Sequence, residues 1–182
     1  MEEQIMNMPA VALRGLTILP GMIAHFDISR ERSLRAVEEA MEQDQKIYLV
    51  TQRNVDSEDP TQEDLYQMGI VADIKQVVRL QNDVVRILVD GISRAALLGF
   101  TGNEKYLEAE ICYCDSNADS LPEDLREAML LGVREAFHRY AAVVGKISKE
   151  LIRQIDQYED LEKLIDYVTN NLPVSYELKQ QV

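Results

Sequence analysis

Phosphate loops, nucleophilic triads and metal clusters each demand particular residues at particular spacing, and this sequence holds only fragments of them. Gly145-Lys146 is its one Gly-Lys pair. A phosphate loop needs an earlier Gly, a Ser or Thr after the Lys, and a strand before it. Tyr140 stands where that first Gly belongs, Ile147 follows the Lys, and an apolar helical stripe precedes them. The pair is not a nucleotide site. A serine hydrolase needs a Ser on a strained elbow beside a His base. No Gly-x-Ser-x-Gly occurs, and His25 and His138 lie in separate segments without a supporting motif. Carboxylates are plentiful, but they fall on helix faces and in the loop Asp56 to Asp64, which lacks the ordering of a calcium hand. They read as solvated acidic surface. No catalytic, metal-binding or cofactor-binding residue is assigned. Apolar residues at turns remain as candidates. Pro20, Met22 and Ile23 follow one turn signal, and Val78, Leu80 and Val84 flank another at Gln81-Asn82-Asp83. They either cap the ends of a barrel core or form an exposed patch that grips extended peptide. Met suits the second role through its adaptable thioether.

The elements that must position these residues are strands first and helices later. Val11 to Arg14 and Met22 to Ile28 are short apolar or alternating runs, divided by Leu19-Pro20-Gly21. Leu34, Val37, Ala40 and Met41 recur at helical spacing, and Ser29 or a residue after it can cap the start. Lys46 to Thr51 is a compact strand, and Pro60-Thr61 opens a short helical turn. Alternation is clearest from Gly69 onward. The tight turn at Gln81-Asn82-Asp83 leads into a return strand, Val84 to Val89. A separate strand is expected from Ile92 to Phe100, and another from Tyr106 to Cys114. The polar stretch Asp115 to Ser120 reads as a linker. Beyond it, Ser120-Leu121-Pro122-Glu123 predicts a capped helix start, and Met129, Val133, Phe137, Tyr140 and Val144 form its apolar stripe. Gly145 ends that helix. Ile147 and Ile152 staple the next around Ser148. Leu161, Leu164, Ile165 and Val168 mark a third, closed by Asn170-Asn171 and Pro173. Ser175 caps a helix within which the sequence ends, so the chain is expected to be part of a longer polypeptide.

The 182 residues carry 32 acidic against 19 basic side chains, a net charge of −13. That balance opposes nucleic-acid and anionic-membrane partners, which rely on clustered Lys and Arg. The acidic start Met1-Glu2-Glu3-Gln4 is unlike a signal peptide, and no run reaches the length of a membrane span. The expected compartment is the cytoplasm. Cys112 and Cys114 are the two cysteines. Two apart on a strand, they point the same way, which is poor disulfide geometry and predicts buried or half-buried free thiols.

These residues, taken in order, resemble a known family. Val11-Ala12-Leu13-Arg14-Gly15-Leu16-Thr17-Ile18-Leu19-Pro20-Gly21-Met22 resembles the opening strand and turn of the amino-terminal domain of Lon proteases. Ser29 to Met41 is similar to that family's first helix, and Lys46 to Arg53 to its next strand. Leu65-Tyr66 with Gly69 and Ala72 resembles its Leu-Tyr-x-x-Gly-x-x-Ala segment, and Val85 to Ala95, with Gly91 and Arg94, its hairpin return. Leu172 to Gln180 resembles the helical region preceding its ATPase module. Ala12-Leu13 departs from the Pro-Leu frequent in the family, and Ile155 to Glu159 lacks its usual Asp-Pro or Pro-Gly.

The resemblance implies an α+β fold: a small PUA-like pseudo-barrel of mostly antiparallel strands with one early helix, followed by a helical segment. The expected domains are a substrate-recognition domain over residues 1–117 and a helical segment over residues 118–182, leading toward an ATPase module outside the sequence. It implies a non-catalytic module of an ATP-dependent serine protease that captures unfolded, damaged or degron-bearing proteins and helps assemble a hexamer. No cofactor is expected in this chain, ATP and Mg belonging to the downstream module. An oligomerisation element and a free-standing PUA-like binding protein are the alternatives.

Overall fold

The computed structural model describes residues 5–114 and 118–182. The chain divides into two compact units: Met1–Cys114 together with Ser175–Gln181, and Asp115–Val174. Three residues of the expected linker, 115–117, lie outside the described residues, as does the acidic start.

The first unit is built on six strands: β1 Ile5–Leu13, β2 Ile23–Ile28, β3 Lys46–Thr51, β4 Met68–Arg79, β5 Val85–Phe100 and β6 Glu108–Tyr113. Their order across the sheet is β2-β5-β4-β3-β1-β6. β5 also pairs with β6, so the sheet curls round on itself. Among the described residues β2 pairs with β5 alone, and the result is a pseudo-barrel rather than a closed barrel. All pairings are antiparallel except β1 with β3. Parallel neighbours need a crossover. Here β2 and the helix α1, Glu31–Glu42, supply it.

Side-chain alternation sorts the apolar residues into two clusters. On β1 and β3, Val11, Leu13, Ile47 and Leu49 face a core shared with Ala36, Val37 and Ala40 of α1. Met8, Ala10, Ala12, Tyr48 and Val50 face the opposite way, into a second core with Ala109 and Ile111 of β6. Burial on both faces explains why these strands read as continuous apolar runs.

β5 corrects the two strands expected from Val84 to Phe100. It is one 16-residue strand that runs through Gly91. Register shifts against β4 lie between Val71 and Ala72 and between Ile74 and Gln76. Such bulges bend the strand. They also account for the broken alternation before Arg79. A Cβ on Gly91 would lie 2.4 Å from the Leu19 carbonyl oxygen, and one on Gly69 2.4 Å from the Tyr48 hydroxyl. Both glycines are contact points where no side chain fits. The β4–β5 turn takes positive φ at Asn82 and Asp83, the backbone of a type I′ hairpin.

Of the candidates at the start of α1, Arg30, the residue after Ser29, holds the cap position, without a side-chain cap bond. Thr61 and Asp64 form a capping box around the short turn Gln62–Asp64. The final helix α5, Tyr176–Lys179, belongs to the first unit and is capped by Ser175 as expected. The buried Thr17 hydroxyl lies 3.0 Å from the Thr51 hydroxyl, 3.0 Å from the Tyr176 carbonyl and 3.3 Å from Gln180 Oε1. It donates to one of them at a time. Gln180 Nε2 in turn donates to the Met68 carbonyl at 2.8 Å.

The second unit packs α2 Glu123–Val144, α3 Lys149–Gln157 and α4 Leu161–Asn171 around Leu130, Phe137, Ala141, Ile155, Leu161 and Leu164. Gly145 closes α2 with φ of 66°. Ser148 caps α3, and Asp160, which the sequence reading passed over, caps α4. Two expectations are corrected. Pro122 rather than Ser120 sits at the N-cap of α2, with no side-chain bond. Met129 and Val144 of the expected stripe are exposed, because the buried line runs through Leu130, Phe137 and Ala141.

Candidate recognition surface

β2, β5 and β4 present one face to the core and the other outward. Ala24 and Ile28 are buried and Phe26 packs on the core, so Ile23, His25 and Asp27 point outward. Ile87 and Val89 of β5 are likewise buried, which turns Val84, Arg86 and Leu88 to the same outer side. The register sets His25 beside Leu88, Asp27 beside Arg86, and Val78 of β4 on the far side of Arg86. Leu80 continues the line of Val78, and its N–H donates to the Val84 carbonyl at 2.8 Å. Four of the six candidate residues therefore share one outer face. Ile23 is 68% exposed, Leu80 40% and Val78 39%.

They do not form one continuous patch. Ile23 pairs with Asp90 and Ile28 with Val85, so Ile23 and the hairpin residues sit at opposite ends of β2. The separation is roughly 17 Å at about 3.4 Å per residue. The ground between holds Leu88 and a bidentate ion pair. Arg86 Nε donates to Asp27 Oδ1 at 2.6 Å, and its Nη2 to Oδ2 at 2.9 Å. The Arg86 hydrogen bond holds the Asp27 carboxyl below its ordinary pKa, and Asp27 raises that of Arg86. His25, Asp27, Arg86 and Leu88 were missed in the sequence. The signal was there in their parity with Ile23 and Val84, but only strand register makes it a surface.

The remaining two candidates lie at the turn. Met22 packs on the core and Pro20 is half-buried. This turn is tied to β5: Gly21 N–H donates to the Gly91 carbonyl at 2.8 Å, and Gly91 N–H to the Met22 carbonyl at 3.0 Å.

The other chemistry-bearing residues are dispersed. Cys112 is half-buried and Cys114, beyond the end of β6, is exposed, which corrects the expectation of two shielded thiols. His138 bonds Asp156 at 2.8 Å on the helical unit. Among the described residues no group of His, Cys, Asp and Glu could hold a metal ion, and no helix is long and apolar enough to cross a membrane.

The family described as the ATP-dependent protease La (LON) substrate-binding domain matches residues 7–182. The chain is 36% identical over 180 residues to a Lon protease of Lachnoclostridium phytofermentans, covering 99% of this chain and 22% of that protein. It is 34% identical to a Lon protease of Clostridioides difficile, covering 97% of this chain and 23% of that one. It thus spans about a fifth of the length of the curated relatives it matches. In fold it is similar to the N-terminal domain of the Mycobacterium avium complex Lon protease, with a TM-score of 0.76 at 17% identity, covering 97% of this chain and 88% of that domain.

Proposed function

Because the chain belongs to the LON substrate-binding domain family, we propose that it recognises unfolded, damaged or degron-bearing proteins for an ATP-dependent serine protease of which it is a non-catalytic part. The observation that carries this reading is the family match over residues 7–182. The outer face of β2, β5 and β4 supports it. Ile23 at one end and Val78, Leu80 and Val84 at the other offer two apolar footholds to an extended chain. A segment of about five residues reaches from one to the other at 3.3–3.6 Å each. Pro20 and Met22 hold the turn from which Ile23 projects. ATP and Mg serve the protease's ATPase module, and the protein works in the cytoplasm. The net charge of −13 disfavours nucleic acid as a partner.

Assembly into a homo-oligomer, a hexamer in the whole protease, is the second part of the proposal. Its support is α2, where Leu125, Met129, Leu131 and Val143 are exposed, Val143 at 88%. Sedimentation over a concentration series tests it. Self-association that weakens in Leu131→Ser with Val143→Ser is expected, and a strict monomer at high concentration would remove that part. Binding of fluorescent unfolded casein tests recognition. Ile23→Ser combined with Leu80→Ser is expected to weaken it several-fold with the melting temperature unchanged, and undiminished binding would place recognition elsewhere.

A further inference from the structure

The first unit has a second surface feature, where its sheet is incomplete. Among the described residues β2 pairs with no strand but β5, and Ala10 to Leu13 of β1 pair with β3. Beside these strands lies a cleft of about 230 Å³. Leu13, Phe26 and Ile28 make its apolar wall, and Arg14, Arg30, Ser33 and Asp27, whose carboxylate is held by Arg86, line its polar side. The cleft is smaller than the roughly 300–1,000 Å³ of small-molecule sites. It suits the end of a chain better than a nucleotide.

Among the described residues, neither Arg14 nor Arg30 is hydrogen-bonded to a carboxylate. Arg14 donates to the Ser57 carbonyl at 3.0 Å, and Arg30 to the carbonyls of Glu58 at 3.2 Å and Ala12 at 2.5 Å. All three acceptors are neutral, and each guanidinium has five N–H donors to place. Burial first, and then the neighbouring Arg14, pulls the Arg30 pKa below its ordinary value, against the opposing pull of Asp59 and Glu58. Arg30 is also the N-cap of the 12-residue helix α1, and no side chain caps the N–H groups behind it. Ser33, three residues into that helix, is 3% exposed and lines the cleft. Among the described residues its hydroxyl has no hydrogen-bond partner. Two guanidiniums, an uncapped helix start and an unpartnered hydroxyl converge on one small space, an arrangement that stabilises an anion.

We infer that this cleft binds the C-terminal carboxylate of a polypeptide whose last side chain is aliphatic. The carboxylate lies between Arg14 and Arg30 at the start of α1, and the side chain rests on Leu13, Phe26 and Ile28. Preceding residues extend along β2, whose outer edge pairs with no strand among the described residues and can take an added one. A single negative charge fits better than a phosphate dianion, because Glu58 and Asp59 stand close by in an acidic protein. The inference rests on the reading that this unit recognises protein clients, and it adds that some are held by their chain ends.

The test uses the whole chain and an eight-residue fluorescent peptide ending in Leu, as free acid and as C-terminal amide. The free acid is expected to bind, to shift the amide signals of Glu31 to Ser33, and to lose about tenfold in affinity on amidation, the scale of one charge-assisted hydrogen bond. Arg14→Gln and Arg30→Gln are each expected to weaken the acid similarly while leaving the amide unaffected. Arg30 also ties Ala12 to Glu58, so melting curves accompany the variants, and the acid–amide comparison on the unaltered chain stands without them. Equal binding of acid and amide would overturn the inference. So would displacement of the peptide by an equal concentration of inorganic phosphate, which would mark a phosphate site. If unfolded casein still binds while acid and amide do not differ, this inference alone fails; if casein does not bind either, the recognition reading fails with it.

Discussion

Gly91 shows how much one position can hold. Its amide and carbonyl fasten the Pro20–Gly21 turn to β5, and its missing side chain leaves room for the Leu19 carbonyl. Gly91→Ala should therefore destabilise the first unit by about 1–3 kcal/mol, the usual cost of overpacking, in urea unfolding followed by circular dichroism. Tyr48 is fully buried and donates its hydroxyl to the Ala95 carbonyl at 3.0 Å. Burial pushes its phenol well above the ordinary range, so it remains a donor at any ordinary pH. Tyr48→Phe removes this buried hydrogen bond and should cost about 0.5–1.5 kcal/mol in the same assay. Asp64 is a case of pH linkage. The Thr61 N–H, first among its donors, holds the Asp64 carboxyl below its ordinary value of 3.8. A depressed folded pKa means its contribution is complete above that ordinary value and is lost as pH falls through the folded one. Asp64→Asn should flatten the acid limb of a stability profile as pH falls below 3.8; an unchanged limb would assign that slope to other carboxylates.

At the scale of elements, helix ends give the sharpest expectations. Ser148 and Asp160 accept from the N–H groups of Leu151 and Lys163 at 3.1 Å each. Ser148→Ala and Asp160→Ala should each cost the helical unit about 1 kcal/mol in thermal unfolding. What could be read in the sequence was local chemistry. The glycine at the end of α2, the serines opening α3 and α5, the Thr61 turn and the Asn82-Asp83 hairpin all declared themselves, because a cap or a positive φ restricts residue type at one spot. What escaped depended on partners far along the chain. β1 begins at Ile5, earlier than its apolar core suggests, because β6 pairs with Ile5 to Pro9. β5 runs on through Gly91 because bulges against β4 absorb the bend. The buried line of α2 passes through Leu130 instead of Met129 because α4 and α3 fix which side is covered. The candidate surface divided the same way. The hairpin residues were found as turn neighbours, whereas Arg86, Asp27 and Leu88 became part of it through register alone.

For the whole molecule, the two units divide the chemistry between them. The first carries the pseudo-barrel, its outer face and the cleft at the start of α1, and its own C-terminal segment, Ser175–Gln181, is hydrogen-bonded to Thr17 and Met68. The second carries a three-helix core beneath the exposed apolar residues of α2. Recognition of protein clients by the first unit is the central claim, and residue-resolved NMR of the isotopically labelled chain, titrated with an unfolded protein, tests it most directly. Progressive shifts of the amides at Ile23, Leu80 and Val84, at concentrations where the signals of the helical unit stay in place, are the predicted result. Unmoved signals on β2 and the β4–β5 hairpin at saturating unfolded protein would contradict it.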